Sequence, residues 1–157
     1  MPTPYPVKTV ADYFLSLAEP ETGDAMTHLR LQKLVYYAQG WHLAMITKPL
    51  FSNELEAWPH GPVSPALFTK LKEYGFNAIP RAALKTDLSV LDAATRKILD
   101  DVWRVYGQFT AKRLEEMTHN ERPWIEARAG LPPEAKSNNK ISQDVMREYF
   151  SSVLANA

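Results

Sequence analysis

The sequence contains no cysteine among its 157 residues. Disulfides, thiol nucleophiles, thiolate zinc sites and iron–sulfur clusters are therefore excluded, and the composition fits a reducing compartment. Net charge is also absent, because 18 Lys and Arg residues balance 18 Asp and Glu residues. Without an excess of basic residues, the sequence gives little basis for binding to nucleic acid or to an anionic membrane. We expect neither as a partner.

A long hydrophobic run is missing as well. The longest segment without Lys, Arg, Asp or Glu is residues 34–47, which is too short to span a bilayer. The first residues, Met-Pro-Thr-Pro-Tyr-Pro, contain neither the basic start nor the apolar stretch of a secretory signal. We therefore expect a cytoplasmic protein.

The residues that are present have the composition of a globular protein, with 45% hydrophobic and 23% charged. The length corresponds to about one domain of roughly 100 to 200 residues. Proline is excluded from helix interiors, so the proline-free segments 21–48, 81–122 and 134–157 indicate most of the long helices. We predict a mainly α, single compact domain over residues 1–157, in which residues 1–6 form an extended, proline-rich arm.

The centre of this predicted domain is a helix that begins near Thr27 and ends before Pro49. Its second face is almost as apolar as its first and carries Tyr36, Tyr37 and one charged side chain, Lys33. A helix that is apolar on nearly all sides belongs in the middle of a domain. For Lys33 the sequence favours an extended side chain that reaches solvent past the rings, with a functional role as the alternative.

The remaining elements follow from shorter patterns. Polar and apolar residues alternate from Glu54 to Trp58, which predicts one strand of a minor two-stranded β element, and residues 76–80 are the candidate for the second. The intervening residues 59–62 predict a turn. Apolar stripes and capping residues predict helices at residues 7–17, from Ser64 to Gly75, from Ser89 to Gly107, after Thr110, after Pro123 and after Ser142.

A search for catalytic or metal-binding groups finds little. The four histidines form no pair one helical turn apart, and His42 fits a hydrogen-bonded core residue. No GxSxG motif occurs, and Ser64 near His60 is explained as a helix cap. Glu54 and Glu56 form only a nominal carboxylate pair. We expect no metal, no cofactor and no catalytic site, while a hydrolase or transferase that uses His60, Ser64 or the two glutamates stays open as an alternative.

The aromatic residues around the predicted turn are a stronger indication of function than any of these groups. Trp58 leads directly into His60-Gly61-Pro62, and a rigid loop with an aromatic side chain is a common recognition element. Trp58 is interpreted equally well as a core residue. For Trp124, which follows Pro123, burial in the core is the favoured interpretation.

Four segments together resemble the Panacea domain, which is also known as the SocA-like or phage-associated GepA-like domain. They are residues 31–41 (LQKLVYYAQGW), 56–63 (EAWPHGPV), 118–124 (THNERPW) and Tyr149-Phe150. The resemblance extends from about residue 10 to the end. Pro59, ahead of the His-Gly-Pro sequence, departs from the family pattern and affects the expected shape of the turn.

The resemblance implies a mainly helical antitoxin domain that binds a cognate toxin protein directly and is not an enzyme. It also implies an alternative, an adaptor that delivers the toxin to a ClpXP-type protease. The candidate partner-binding residues are those of the central helix and the turn that stand out above: Lys33, Tyr36, Tyr37, Trp58, His60, Gly61 and Pro62.

Overall fold

The computed structural model describes residues 3–19 and 23–157, which fold into seven α-helices and a two-stranded antiparallel sheet. The elements are α1 (Val7–Leu17), α2 (His28–Ile46), β1 (Glu56–Trp58), β2 (Gly61–Val63), α3 (Pro65–Leu71), α4 (Ala93–Tyr106), α5 (Ala111–His119), α6 (Arg122–Arg128) and α7 (Gln143–Ala155). The predicted fold class is confirmed. No helix in this part of the chain is long and apolar enough to cross a membrane.

Helix α2 is the centre of the core, as predicted. The side chain of Thr27 caps its first turn by accepting a hydrogen bond from the Arg30 amide. Both faces are buried, and the helix packs against α7, α4, α1 and α5. Gly40 allows the closest approach, because a Cβ atom there would overlap the Phe150 ring of α7. His42 is buried, and its Nδ1 donates to the Lys48 carbonyl oxygen at 2.6 Å, which confirms its interpretation as a core residue.

The minor sheet is a hairpin, with Trp58 opposite Gly61 and Glu56 opposite Val63. Only Pro59 and His60 lie in the turn between these strands, so residues 61 and 62 belong to β2 and not to the turn. The prediction of a second strand at residues 76–80 is wrong, because β1 pairs with the residues that directly follow the turn. The other edge of β1 lies beside residues 139–141, where Ala57 donates its amide to the Asn139 carbonyl.

Side-chain caps set most helix starts. Ser64, Thr110 and Ser142 cap α3, α5 and α7 as predicted. Helix α4 begins later than predicted, since Asp92 is its cap. Ser89 instead lies in a short 3-10 turn, where its hydroxyl donates to the Asp87 carboxylate at 2.6 Å.

The described part of the predicted N-terminal arm is attached to the core. Tyr5 is buried, and its amide donates to the Leu50 carbonyl at 2.8 Å. Met1 and Pro2, at the start of the predicted arm, lie outside the described residues. Helix α1 ends at Leu17, as the predicted helix over residues 7–17 does, and residues 20–22 also lie outside the described residues.

Candidate functional site

The hairpin (residues 56–64) meets α2 through two buried polar side chains. Lys33 Nζ donates to the Pro62 carbonyl oxygen at 2.8 Å. Gln32 bonds both backbone groups of Ser64, accepting from its amide at 2.8 Å and donating to its carbonyl at 3.2 Å. Lys33 has no exposed surface, so the expectation that it reaches solvent is wrong. The physical reason is that β2 and α5 cover this face of α2.

Side chains of α5 and α6 also hold the hairpin. Three consecutive carbonyl oxygens accept hydrogen bonds from side chains: that of Ala57 from Arg128 at 3.0 Å, that of Trp58 from Trp124 at 2.9 Å and that of Pro59 from His119 at 2.9 Å. Trp124 is buried, as expected. Side chains of three helices therefore fix the hairpin backbone. The sequence reasoning did not find these partners, although His119 and Trp124 lie in the segment that carries the resemblance.

Gly61 is required by its conformation and by its neighbours. Its φ is +108°, a value that side chains disfavour. A Cβ atom at this position would lie 2.7 Å from Thr118 Oγ1 and 2.9 Å from Lys33 Cε. The close approach allows Lys33 to reach the hairpin backbone.

Tyr36 and Tyr37 belong to a second buried cluster, centred on Glu121. Their hydroxyls donate to Glu121 Oε1 at 2.9 Å and Oε2 at 2.8 Å. Both tyrosines have no exposed surface, and only 8% of Glu121 is exposed. Burial raises the pKa of Glu121 to about 7, although the two tyrosine hydrogen bonds act in the opposite direction. The carboxyl of Glu121 therefore titrates near neutral pH inside the core.

His60 connects the surface to the buried groups. Its side chain is 75% exposed, and its Nδ1 donates to Glu115 Oε2 at 2.8 Å. Glu115 is itself buried and is the charged neighbour that favours protonation of Lys33. Burial dominates, however, and lowers the pKa of the Lys33 amine to about 7.

The outer side of the hairpin is aromatic. The ring of Trp58 is half-buried and lies 5.2 Å from the ring of Phe68, centroid to centroid, and His28 stacks on Phe68 at the same distance. Phe76 is completely exposed. These rings, with Val63 and Lys72, border a groove of about 290 Å³, here called the aromatic groove. Phe68 is 38% exposed, because α3 turns this position toward the groove.

Two residues of the enzymatic alternative, Ser64 and Glu56, have structural roles. Ser64 has no exposed surface, and its hydroxyl accepts from the Leu67 amide at 3.2 Å, so it cannot act as a nucleophile toward a substrate. Glu56 accepts a hydrogen bond from the Trp58 indole at 2.9 Å. Within residues 3–19 and 23–157, no group of three or more His, Asp or Glu side chains is placed to hold a metal ion.

The candidate residues therefore separate by exposure. Lys33, Tyr36, Tyr37, Gly61 and Pro62 are buried, whereas Trp58 is half-buried and His60 is exposed. A buried side chain cannot contact a partner while the domain stays folded. The buried candidates hold the hairpin and the core, and Trp58 and His60 face outward beside the aromatic groove.

Comparison with known proteins agrees with the segments that carry the resemblance. The family model described as "Antitoxin SocA-like, Panacea domain" matches residues 31–125, which include most of α2, the hairpin, most of the aromatic groove and Glu121. Antitoxin SocA of Caulobacter vibrioides (strain NA1000 / CB15N) is 31% identical over 135 residues, a match that covers 80% of this chain and 72% of that protein. No solved structure matches the chain. The chain belongs to the Antitoxin SocA-like, Panacea domain family.

Proposed function

We propose that this protein is an antitoxin that binds a cognate toxin protein and neutralises it by direct contact. The observation that carries the proposal is the match to Antitoxin SocA over 80% of the chain. Membership of the family supports an antitoxin role. Our proposal adds that the protein acts by binding the toxin directly. Neutralisation of this kind needs affinity and no catalytic group.

The contact surface that we propose includes Trp58 and His60. Both lie on a backbone that side chains of α2, α5 and α6 hold in place, so little conformational freedom is lost when a partner binds. Lys33, Tyr36, Tyr37, Gly61 and Pro62 act in this proposal as the support of the surface. Aromatic side chains on a rigid backbone are typical of the residues that dominate binding energy.

The charge balance indicates how such a contact gains affinity. Because the formal net charge is zero, the binding energy must come mainly from a desolvated apolar patch and not from long-range attraction. Stable interfaces bury about 1,200 to 2,000 Å² in total. We expect roughly nanomolar affinity, which corresponds to about −12 kcal/mol, with a weak dependence on salt.

The proposal is tested by expressing the product of the neighbouring reading frame with and without this protein. Growth arrest by that product alone, relief of the arrest by this protein and co-purification of the two would support it. Trp58→Ala and His60→Ala should each lose rescue while remaining folded by circular dichroism. Leu154→Ala, which alters an apolar side chain that is 50% exposed on α7, is the matched control and should rescue fully.

The same cells separate direct neutralisation from delivery to a protease. If contact alone neutralises the toxin, its abundance stays constant when this protein is expressed, with or without a ClpXP-type protease. Loss of toxin that requires the protease would replace our proposal with the adaptor function. Absence of any complex between the two proteins would overturn direct binding.

A further inference from the structure

The aromatic groove exposes more apolar surface than folding requires. Phe76 is completely exposed and Phe68 is 38% exposed, whereas Val63 beneath them is buried. The rings of Trp58 and Phe68 pack edge to face. The groove lies open between this pair and Phe76. Neighbouring exposed aromatic side chains around a concave surface are typical of interaction sites. The groove volume suits one large apolar side chain.

The backbone beside the groove is closed to a partner strand. The Pro62 carbonyl accepts from Lys33, and both backbone groups of Ser64 are bonded to Gln32. The far edge of β1 is bonded to residues 139–141. A partner therefore cannot extend the hairpin by strand addition, and a helix laid into the groove is the recognition mode that fits a concave apolar surface.

The charge of the groove indicates the chemistry of that helix. Lys72 is a charged lining residue, and among the residues that the structure describes no Asp or Glu lines the groove. His28 stays neutral at physiological pH, because burial lowers its pKa to about 4. His60 already donates to Glu115. The border is thus basic at Lys72, and a carboxylate is the complementary group.

We propose, resting on the proposed function, that the toxin occupies the aromatic groove with an apolar side chain of an acidic amphipathic helix, and that a carboxylate of this helix pairs with Lys72. The apolar side chain supplies most of the affinity, since it is desolvated between the rings of Trp58, Phe68 and Phe76. The ion pair at the exposed border adds little affinity and selects the charge of the partner.

The test measures the dissociation constant for the product of the neighbouring reading frame. Phe76→Ser should weaken binding about thirtyfold, as loss of a central anchor does. Lys72→Glu should weaken it about three- to tenfold, and the loss should shrink at high salt. Val90→Ser removes another exposed apolar side chain and Lys85→Glu reverses the charge of another exposed lysine, both outside the groove, and both variants should bind like the wild type.

Changes in the toxin that compensate for Lys72→Glu test the ion pair more directly than the loss of binding does. Toxin variants selected to restore rescue by Lys72→Glu should replace an Asp or Glu with Lys or Arg on the polar side of an amphipathic helix. Compensating changes in a β-strand of the toxin would overturn the proposal that the toxin binds through a helix.

The outcomes distinguish the two proposals. If the wild type binds and the Phe76 and Lys72 variants bind equally well, the groove is not the interface and the antitoxin proposal stands. If Phe76→Ser converts a dimer into a monomer in sedimentation, a second copy of this chain covers the groove and our inference is wrong. If the wild type binds no toxin, both proposals fail together.

Discussion

The two sides of the hairpin carry different residue types and have different roles. The inner side places Lys33, Gln32 and His119 against backbone groups and leaves none of the hairpin carbonyls at Pro59, Pro62 and Ser64 without a bond. The outer side presents the aromatic groove, where Phe76 is fully exposed. The inner side thus determines where the hairpin lies, and the outer side is free to contact another molecule.

This difference explains why the sequence identifies the family but does not identify the protein that this chain binds. Three of the four segments that carry the resemblance, residues 31–41, 56–63 and 118–124, meet at the inner side of the hairpin. Phe68, Lys72 and Phe76 lie outside all of these segments and line the groove. The three segments therefore identify the buried support of the hairpin and leave most of the aromatic groove unmarked.

The comparison predicts that the largest loss of stability follows a change on the inner side at Gly61. Gly61→Ala should lower the free energy of unfolding by about 3 to 4 kcal/mol, because it combines a strained φ with overlap of Thr118 and Lys33. Gly130 is the matched control, since its φ of +78° is also positive but nothing lies within 4 Å of the added Cβ atom. Gly130→Ala should cost about 1 kcal/mol. Equal losses in urea denaturation would show that the close packing at Gly61 contributes nothing.

The second prediction concerns the pH dependence that Lys33 produces. Its pKa in the folded protein is about 7, below its ordinary value of 10.5, so between these values the unfolded chain binds a proton that the folded chain does not. Stability should therefore rise with pH in this window. From pH 7 to about 9.5, the wild type should gain on the order of 3 kcal/mol relative to Lys33→Met, which cannot titrate. If the free energies of unfolding of the two proteins change equally with pH over this range, the lowered pKa of the Lys33 amine is contradicted.

A smaller effect is expected in the second buried cluster. Tyr37→Phe removes one of the two hydrogen bonds that Glu121 accepts and should cost about 1.5 to 2 kcal/mol. In a Glu121→Gln background the cost should fall, because the hydrogen bond no longer involves a carboxylate. Chemical denaturation of both single variants and the double variant measures this coupling. Additive losses would show that Tyr37 and Glu121 act independently.

On the outer side the effect on stability should be slight. Phe76→Ser should change the free energy of unfolding by less than about 0.5 kcal/mol, since the side chain is fully exposed. Its effect should instead be seen in toxin binding. A loss of stability as large as that of Tyr37→Phe would show that Phe76 belongs to the core and would remove the contrast between the two sides.

The smallest expected effect is that of chelation. The histidine nitrogens His42 Nδ1, His60 Nδ1 and His119 Nε2 already bond to protein oxygens, and the sequence contains no thiolate. EDTA should therefore leave the thermal midpoint unchanged. A fall of several degrees that zinc restores would require a metal site.

The sequence alone determined the helical architecture, because the information for it is local. Thr27 and Ser142 cap helices where the sequence predicted, and the apolar character of residues 31–46 was enough to place α2 at the centre. The pairing of β1 was predicted incorrectly. Two short strands carry little periodic signal, and the two-residue turn at Pro59-His60 was hidden by the second proline and the glycine that follow it.

The tertiary structure decided which candidates are exposed. The sequence marked Lys33 as the exceptional charge on an apolar face but could not show that residue 62 would supply a carbonyl 29 positions away. It also could not bring Glu121 to Tyr36 and Tyr37, which precede it by 85 and 84 positions. Helical periodicity assigns a face to a side chain, whereas burial depends on which distant element covers that face. For this reason the sequence identified the family and the helices, and only the packing of α2, α5 and α6 around the hairpin separated the buried support from the exposed aromatic groove.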